Sequence, residues 1–129
     1  MKLHIGLAGL VCAMSLTVHA AEFDGSRLLI CAPVEAKTCA PGEFCDSVTP
    51  GEAGAPAFVR IDFNKQVIIG PETTTPIKLM ETSEKQILLQ GSELGFGWTI
   101  ALDQESGSMS AILLDREGAF VLFGSCTPL

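Results

Sequence analysis

The sequence contains no tyrosine, a single tryptophan and only two histidines. Both histidines, His4 and His19, lie in a segment with a charged start, an apolar run over residues 5–16 and small residues at its end. This is the pattern of a secretory signal peptide, so we expect residues 1–20 to be removed and residues 21–129 to form the mature protein. Because hydrolases commonly use histidine as a base or a metal ligand, the loss of both histidines excludes most familiar hydrolytic sites.

Basic residues are also scarce. The chain has eight lysines and arginines against fifteen acidic residues, a formal net charge of −7. The basic residues are scattered singly, whereas nucleic-acid binding requires clusters of them, so we expect no nucleic-acid partner. An acidic surface favours a basic envelope or extracellular protein as partner.

Long apolar runs are absent as well. The run at residues 5–16 is too short to span a bilayer, and nothing after it reaches about 18 uninterrupted apolar residues. A lipoprotein signal requires a small residue before its cysteine, but Val11 precedes Cys12. We therefore expect a periplasmic or secreted protein without a membrane anchor.

Four cysteines remain after the signal peptide, and they allow three disulfide pairings. A Pro-Gly turn lies between Cys39 and Cys45, whereas Cys31 belongs to the first predicted strand and Cys126 to the last. We therefore predict the pairs Cys39–Cys45 and Cys31–Cys126. A metal site is disfavoured because secreted cysteines normally oxidise and no histidine is present, so no metal and no cofactor are expected.

Most of the mature chain alternates apolar and polar residues with period two, the pattern of half-buried strands. The alternation is clearest at residues 58–63 and 96–102. Short turn signals separate the segments, which favours a single small antiparallel β-barrel or sandwich of about eight strands. Closure removes exposed edges, so we favour the barrel. The further predicted strands are 27–34, 66–70, 75–82, 86–90, 109–114 and 119–125.

Residues 35–56 interrupt this alternation. The segment contains Pro41, Pro50 and Pro56 together with two cysteines and almost no apolar periodicity. We predict a long loop within the single domain at 21–129. Loops of this length are uncommon in compact domains unless they are functional or mobile, so it is either an insertion held by a disulfide or a binding loop.

Trp98 is the most conspicuous aromatic candidate for a site. Its neighbours Gly95 and Gly97 would let a ligand or another backbone approach closely, and it could then form the floor of a pocket or anchor an interface. The alternative is a core aromatic on the inward face of its strand. Phe120 and Phe123 fall on opposite faces of the last strand, which predicts that one of them is exposed.

Catalysis would have to use carboxylates. Nothing in the sequence brings two of them together, so we expect no catalytic residues, with a carboxylate-dependent hydrolase as the minor alternative. The segment 103–107 is better explained as a turn with an Asx hydrogen bond than as a calcium loop. The candidates by residue type are Asp62, Glu93, Asp103, Glu105 and Asp115.

The mature chain resembles small secreted proteins of proteobacteria, a group without an established activity. The resemblance lies in the spacing Cys31-x7-Cys39-x5-Cys45, the segment from Pro56 to Asp62, and the ending Phe123-Gly124-Ser125-Cys126. It implies an envelope location.

A second similarity is to periplasmic inhibitors of C-type lysozyme. These are small β-barrels whose Ser-Gly loop enters the lysozyme cleft, and Ser106, Gly107 and Ser108 are the residues here that match that loop. With Trp98 they form the predicted partner-contact set. We therefore predict a non-catalytic binding or interaction protein. The alternatives are an inhibitor of a cationic enzyme such as lysozyme and a lipocalin-like carrier, which an interior filled by large residues would exclude.

Overall fold

The computed structural model describes residues 22–129, so the predicted signal peptide lies outside the described residues. This part of the chain is all-β and antiparallel, which confirms the predicted fold class. Within it, no helix is long and apolar enough to cross a membrane. The strands are β1 (Leu29–Cys39), β2 (Asp46–Val48), β3 (Val59–Asp62), β4 (Val67–Ile69), β5 (Thr74–Pro76), β6 (Leu79–Thr82), β7 (Gln86–Glu93), β8 (Phe96–Asp103), β9 (Ser108–Leu114) and β10 (Ala119–Pro128).

The strands form one sheet that curls into a half-barrel. Their order is β5-β4-β3-β1-β10-β9-β8-β7-β6, and β2 pairs with β1 outside this path. The first and last strands are therefore neighbours in the middle of the sheet. The edges are formed by β5 and β6, which are adjacent in sequence.

The chain crosses between the two edges at residues 77–78. The N–H of Ile77 donates to the carbonyl of Gln66 at 2.8 Å, and the N–H of Lys78 donates to the carbonyl of Gln90 at the same distance. Gln66 immediately precedes β4 and Gln90 lies in β7, the strands next to the two edge strands. Successive residues thus bond to opposite sides of the sheet and bring its two edges together. The single strand predicted at 75–82 is therefore wrong, because the chain changes pairing partner within it.

Both predicted disulfides are present. Cys31 and Cys126 are direct partners in the β1–β10 ladder, with their Cα atoms 4.0 Å apart. Cys39 and Cys45 close the connection between β1 and β2, with a Cα–Cα distance of 4.3 Å. Two disulfides indicate an oxidising, non-cytoplasmic compartment.

The loop predicted at residues 35–56 is shorter than expected. Its first five residues continue β1 and pair with β10, and Asp46–Val48 form β2. A register shift between Pro33 and Glu35 interrupts the alternation of buried and exposed residues in β1. The second half of β1 therefore lacks the regular period of two that indicates a strand.

The interior is packed at one end of the half-barrel. Large side chains from four strands are completely or almost completely buried there, together with the Cys31–Cys126 disulfide. They come from the inward positions of each strand, as the alternation requires. The largest are Leu29, Ile61, Ile87, Leu89 and Leu102.

Candidate functional site

Towards its other end, the half-barrel encloses an open cavity of about 790 Å³. Its walls are mostly apolar and include Trp98, Ile100, Met109, Ala111 and Leu122. These side chains occupy inward positions of β8, β9 and β10, which continue the alternation of the packed end. Ligand sites usually have volumes of about 300–1,000 Å³, so the cavity is large enough for a small molecule.

Three connections line the mouth of the cavity: residues 51–56, the β4–β5 turn at 70–73, and the β7–β8 turn around Leu94. Glu72 and Glu93 are the charged residues among the cavity-lining residues of the described chain, and no lysine or arginine joins them. The interior is thus apolar, and its entrance is acidic.

The first of these connections is fixed by its own hydrogen bonds. The backbone N–H and the hydroxyl of Thr49 both donate to Oε2 of Glu52 at 2.8 Å, and the N–H of Glu52 donates back to the Thr49 hydroxyl at 3.2 Å. The backbone hydrogen bond from Thr49, followed by the hydroxyl bond, lowers the pKa of Glu52. Ala53 and Ala55 pack against the core, so this side of the mouth is already formed without a ligand.

The β7–β8 turn holds an unusual residue at the mouth. Leu94 and Gly95 both have positive φ angles, of 50° and 86°, as a two-residue type I′ hairpin requires. Asparagine, aspartate or glycine normally occupies the first of these positions, because the left-handed conformation costs other residues about 1–2 kcal/mol. Leu94 is nevertheless 88% exposed and borders the cavity. Strain of this kind clusters at functional sites, and a leucine before the glycine was the sequence signal that the prediction missed.

Trp98 serves both as a core aromatic and as a cavity wall. It is 8% exposed, and its Nε1–H has no hydrogen-bond acceptor within the described residues. The glycine that accommodates it is Gly91, where an added Cβ would lie 2.6 Å from Cε2 of Trp98. No other backbone approaches Gly95 or Gly97, since a Cβ on either would meet nothing within 4 Å.

Phe96 and Phe120 separate this cavity from a smaller one of about 210 Å³, and both rings line both spaces. Their ring centroids are 6.4 Å apart. On the opposite face of β10, Phe123 is 38% exposed, so the expected exposed phenylalanine is Phe123. The Phe96–Phe120 pair therefore limits the length of the cavity.

Ser106, Gly107 and Ser108 lie away from the cavity mouth. They belong to the β8–β9 turn, whereas Trp98 lies near the other end of β8. The two serines are exposed, but Gly107 is buried, and a Cβ on it would lie 2.5 Å from the Phe23 ring. The structure therefore does not bring the predicted contact residues together.

Asp103 organises this turn. Its Oδ1 accepts hydrogen bonds from the N–H groups of Ser106 at 2.7 Å and Glu105 at 2.9 Å, and from the Ser106 hydroxyl at 3.0 Å. These hydrogen bonds lower the pKa of Asp103, and the bond from the Ser106 N–H has the largest effect. This is the expected Asx arrangement.

The remaining candidate carboxylates do not form one site. Asp62 accepts a hydrogen bond from the N–H of Lys65 at 2.9 Å, and Asp115 accepts one from the N–H of Glu117 at 2.8 Å, so each stabilises its own turn. Among residues 22–129, no three histidine, cysteine or acidic residues are grouped so that they could hold a metal ion.

Comparison of the chain with known protein families, with curated proteins and with solved structures gives no match. The functional interpretation therefore depends on the geometry of the cavity.

Proposed function

We propose that this protein is a non-catalytic binding protein, periplasmic or secreted, that carries a small apolar molecule in its half-barrel. The observation that supports this proposal most strongly is the open apolar cavity of about 790 Å³. Large side chains fill the interior at one end only, so the packing that would exclude a carrier does not extend through the barrel. Burying an apolar chain is favourable by about 0.8 kcal/mol per CH₂ group, which gives such a cavity substantial binding energy.

Two features of the mouth support the same function. The hydrogen bonds between Thr49 and Glu52 hold one wall in place before a ligand arrives. A site that is formed in advance loses less conformational freedom on binding. Leu94 places an exposed apolar side chain at the entrance despite its unfavourable backbone conformation, which is consistent with selection for ligand contact rather than for stability.

The proposed location combines two observations. The Cys31–Cys126 and Cys39–Cys45 disulfides indicate an oxidising compartment. The signal-peptide pattern at residues 1–20 supports export to the periplasm or beyond.

The proposal can be tested with N-phenyl-1-naphthylamine, a neutral apolar dye whose fluorescence rises when it leaves water. We expect the mature protein to bind it, and Ala111→Phe to weaken binding by about tenfold or more, because the new ring would occupy the cavity. Ser110→Phe is the matched control: this neighbour in β9 is exposed on the other face of the sheet.

Equal dye binding by the wild type and Ala111→Phe, with both proteins folded by circular dichroism, would contradict the proposal. So would an equal loss in both phenylalanine variants.

A second candidate function is inhibition of a cationic enzyme such as lysozyme. The observation that favours it is the exposed β8–β9 turn, where Asp103, Ser106 and Ser108 hydrogen-bond to one another and hold the loop in one shape on an acidic protein. Lysozyme assays with and without the mature protein test it. Unchanged lysis at a large molar excess would eliminate this candidate and leave the carrier proposal intact.

A further inference from the structure

We infer that the ligand of this cavity is an amphiphile with one apolar chain and a positively charged head group. This inference rests on the proposed carrier function and specifies its ligand. It follows from the difference between the apolar walls and the acidic mouth. The only ionisable side chains that line the cavity within the described residues are Glu72 and Glu93.

Of the two acidic residues, Glu93 gives the stronger evidence for a cationic head group. It follows Leu89 and Gly91 on the inward face of β7, and it is only partly exposed. Within residues 22–129 its carboxylate forms neither a salt bridge nor a side-chain hydrogen bond. Lys78 hydrogen-bonds to the residue before Glu93: its ammonium group donates to the hydroxyl of Ser92, which lies on the outward face of β7. The hydrogen bond of this lysine is therefore on the opposite face of the strand from Glu93.

Glu72 belongs to a different part of the mouth. It lies in the β4–β5 turn, which is closed by a 2.8 Å hydrogen bond from the N–H of Gly70 to the carbonyl of Thr73. The turn therefore holds this second carboxylate at the rim. Both acidic side chains therefore line the cavity that the ligand would enter.

The charge pattern selects between classes of amphiphile. A carboxylate partly removed from water is stabilised by a cation and destabilised by another anion. A fatty acid or a phosphate ester would bring a like charge to the mouth, whereas an amine or a quaternary ammonium would neutralise it. The apolar walls around Trp98, Met109 and Leu122 would hold the chain.

The size of the effect follows from the exposure of the two carboxylates. Exposed ion pairs contribute modestly and are weakened by salt. We therefore expect the cationic amphiphile to bind about threefold to tenfold more tightly than a neutral one of equal chain length. The preference should decrease as salt is added.

Three probes with the same dodecyl chain test the inference: dodecyltrimethylammonium, 1-O-dodecylglycerol and tridecanoate, each below its micelle-forming concentration. Their affinities can be measured by calorimetry and by displacement of N-phenyl-1-naphthylamine from the mature protein. We expect the order cationic, neutral, anionic from tightest to weakest. The double variant Glu72→Gln/Glu93→Gln should remove the preference, and circular dichroism checks that it remains folded.

The matched control is Glu81→Gln/Glu84→Gln, which changes the net charge equally at two exposed residues that do not line the cavity. This control should keep the cationic preference. If it loses the preference as the mouth variant does, the overall charge of the protein is responsible and the inference is wrong.

The remaining outcomes distinguish failure of the head-group inference from failure of the proposed carrier function. Tridecanoate binding as tightly as dodecyltrimethylammonium would overturn the inference and leave the carrier function standing. Dye binding without binding of any dodecyl probe would have the same meaning. If neither the dye nor any probe binds, the proposed function itself fails.

Discussion

The indole ring of Trp98 occupies the space that a side chain on Gly91 would require. The two residues are direct partners in the β7–β8 ladder. An added Cβ on Gly91 would lie 2.6 Å from Cε2 of the ring and 2.8 Å from the carbonyl oxygen of Pro76. The glycine therefore sets the position of a cavity wall and lets β5 approach β7.

Gly91→Ala should destabilise the protein by about 1–3 kcal/mol, because the methyl group overpacks a site where backbone and ring leave no room. Urea unfolding measures the loss, and the emission of the single tryptophan should shift as its ring is displaced. Gly97→Ala is the control, since that Cβ would meet nothing within 4 Å. Equal stability of the two variants would contradict the steric argument.

Replacing Leu94 by asparagine should improve the turn and impair the site. Asparagine tolerates the left-handed conformation, so the free energy of unfolding should rise by up to about 1 kcal/mol. Removal of an apolar side chain from the mouth should weaken dye binding by roughly threefold to tenfold. Thermal unfolding and dye titration measure the two effects. A variant that gains stability and binds the dye as well as the wild type would show that Leu94 does not contact the ligand.

Phe120→Ala should join the two cavities that the Phe96–Phe120 pair separates. We expect the variant to shift its preference towards amphiphiles whose chains are several carbons longer, measured as the ratio of affinities for hexadecyl and dodecyl probes. Phe123→Ala on the outward face of β10 should leave this ratio unchanged. An unchanged ratio in Phe120→Ala would mean that the pair does not limit chain length.

The two disulfides should contribute unequally to stability. Cys31 and Cys126 are separated by 95 positions and Cys39 and Cys45 by 6. On the chain-entropy model, the long loop corresponds to about 4.7 kcal/mol and the short one to about 2.4 kcal/mol. Replacing both cysteines of a pair by alanine and measuring urea unfolding tests the order. Equal losses would contradict the entropic explanation.

The Asp103 turn should make a pH-dependent contribution to stability. Its hydrogen bonds lower the pKa below the ordinary value of 3.8, so the folded state binds this proton less readily than the unfolded state. The contribution is complete above pH 3.8 and is lost as the pH falls through the lower pKa of the folded protein. The stability difference between the wild type and Asp103→Asn should therefore shrink in acid. A difference that stays constant through the pH range in which the carboxyl titrates by NMR would contradict this.

The alternation of apolar and polar residues was enough to predict an antiparallel β fold, and the positions of the four cysteines were enough to predict their pairing. A period of two marks a half-buried strand, which is a local property. A short turn brings Cys39 to Cys45, and Cys31 and Cys126 lie in the first and last predicted strands. The same criteria missed β2 and the second half of β1, because a register shift and a change of partner leave no regular period. They also merged β5 with β6, since the sequence does not indicate that Ile77 bonds next to β4 and Lys78 to β7.

The cavity was decided by tertiary structure alone. Each strand shows which residues point inward, but the space between inward faces depends on how far the sheet curls, and curl is a property of all the strands together. Glu72 and Glu93 illustrate this. Glu72 lies in the β4–β5 turn and Glu93 ends β7, and the two line one mouth only after residues 77–78 connect the two edges of the sheet. The sequence alone therefore determined most of the strands and both disulfides, while long-range pairing and curvature determined the open space between the strands and the charges at its entrance.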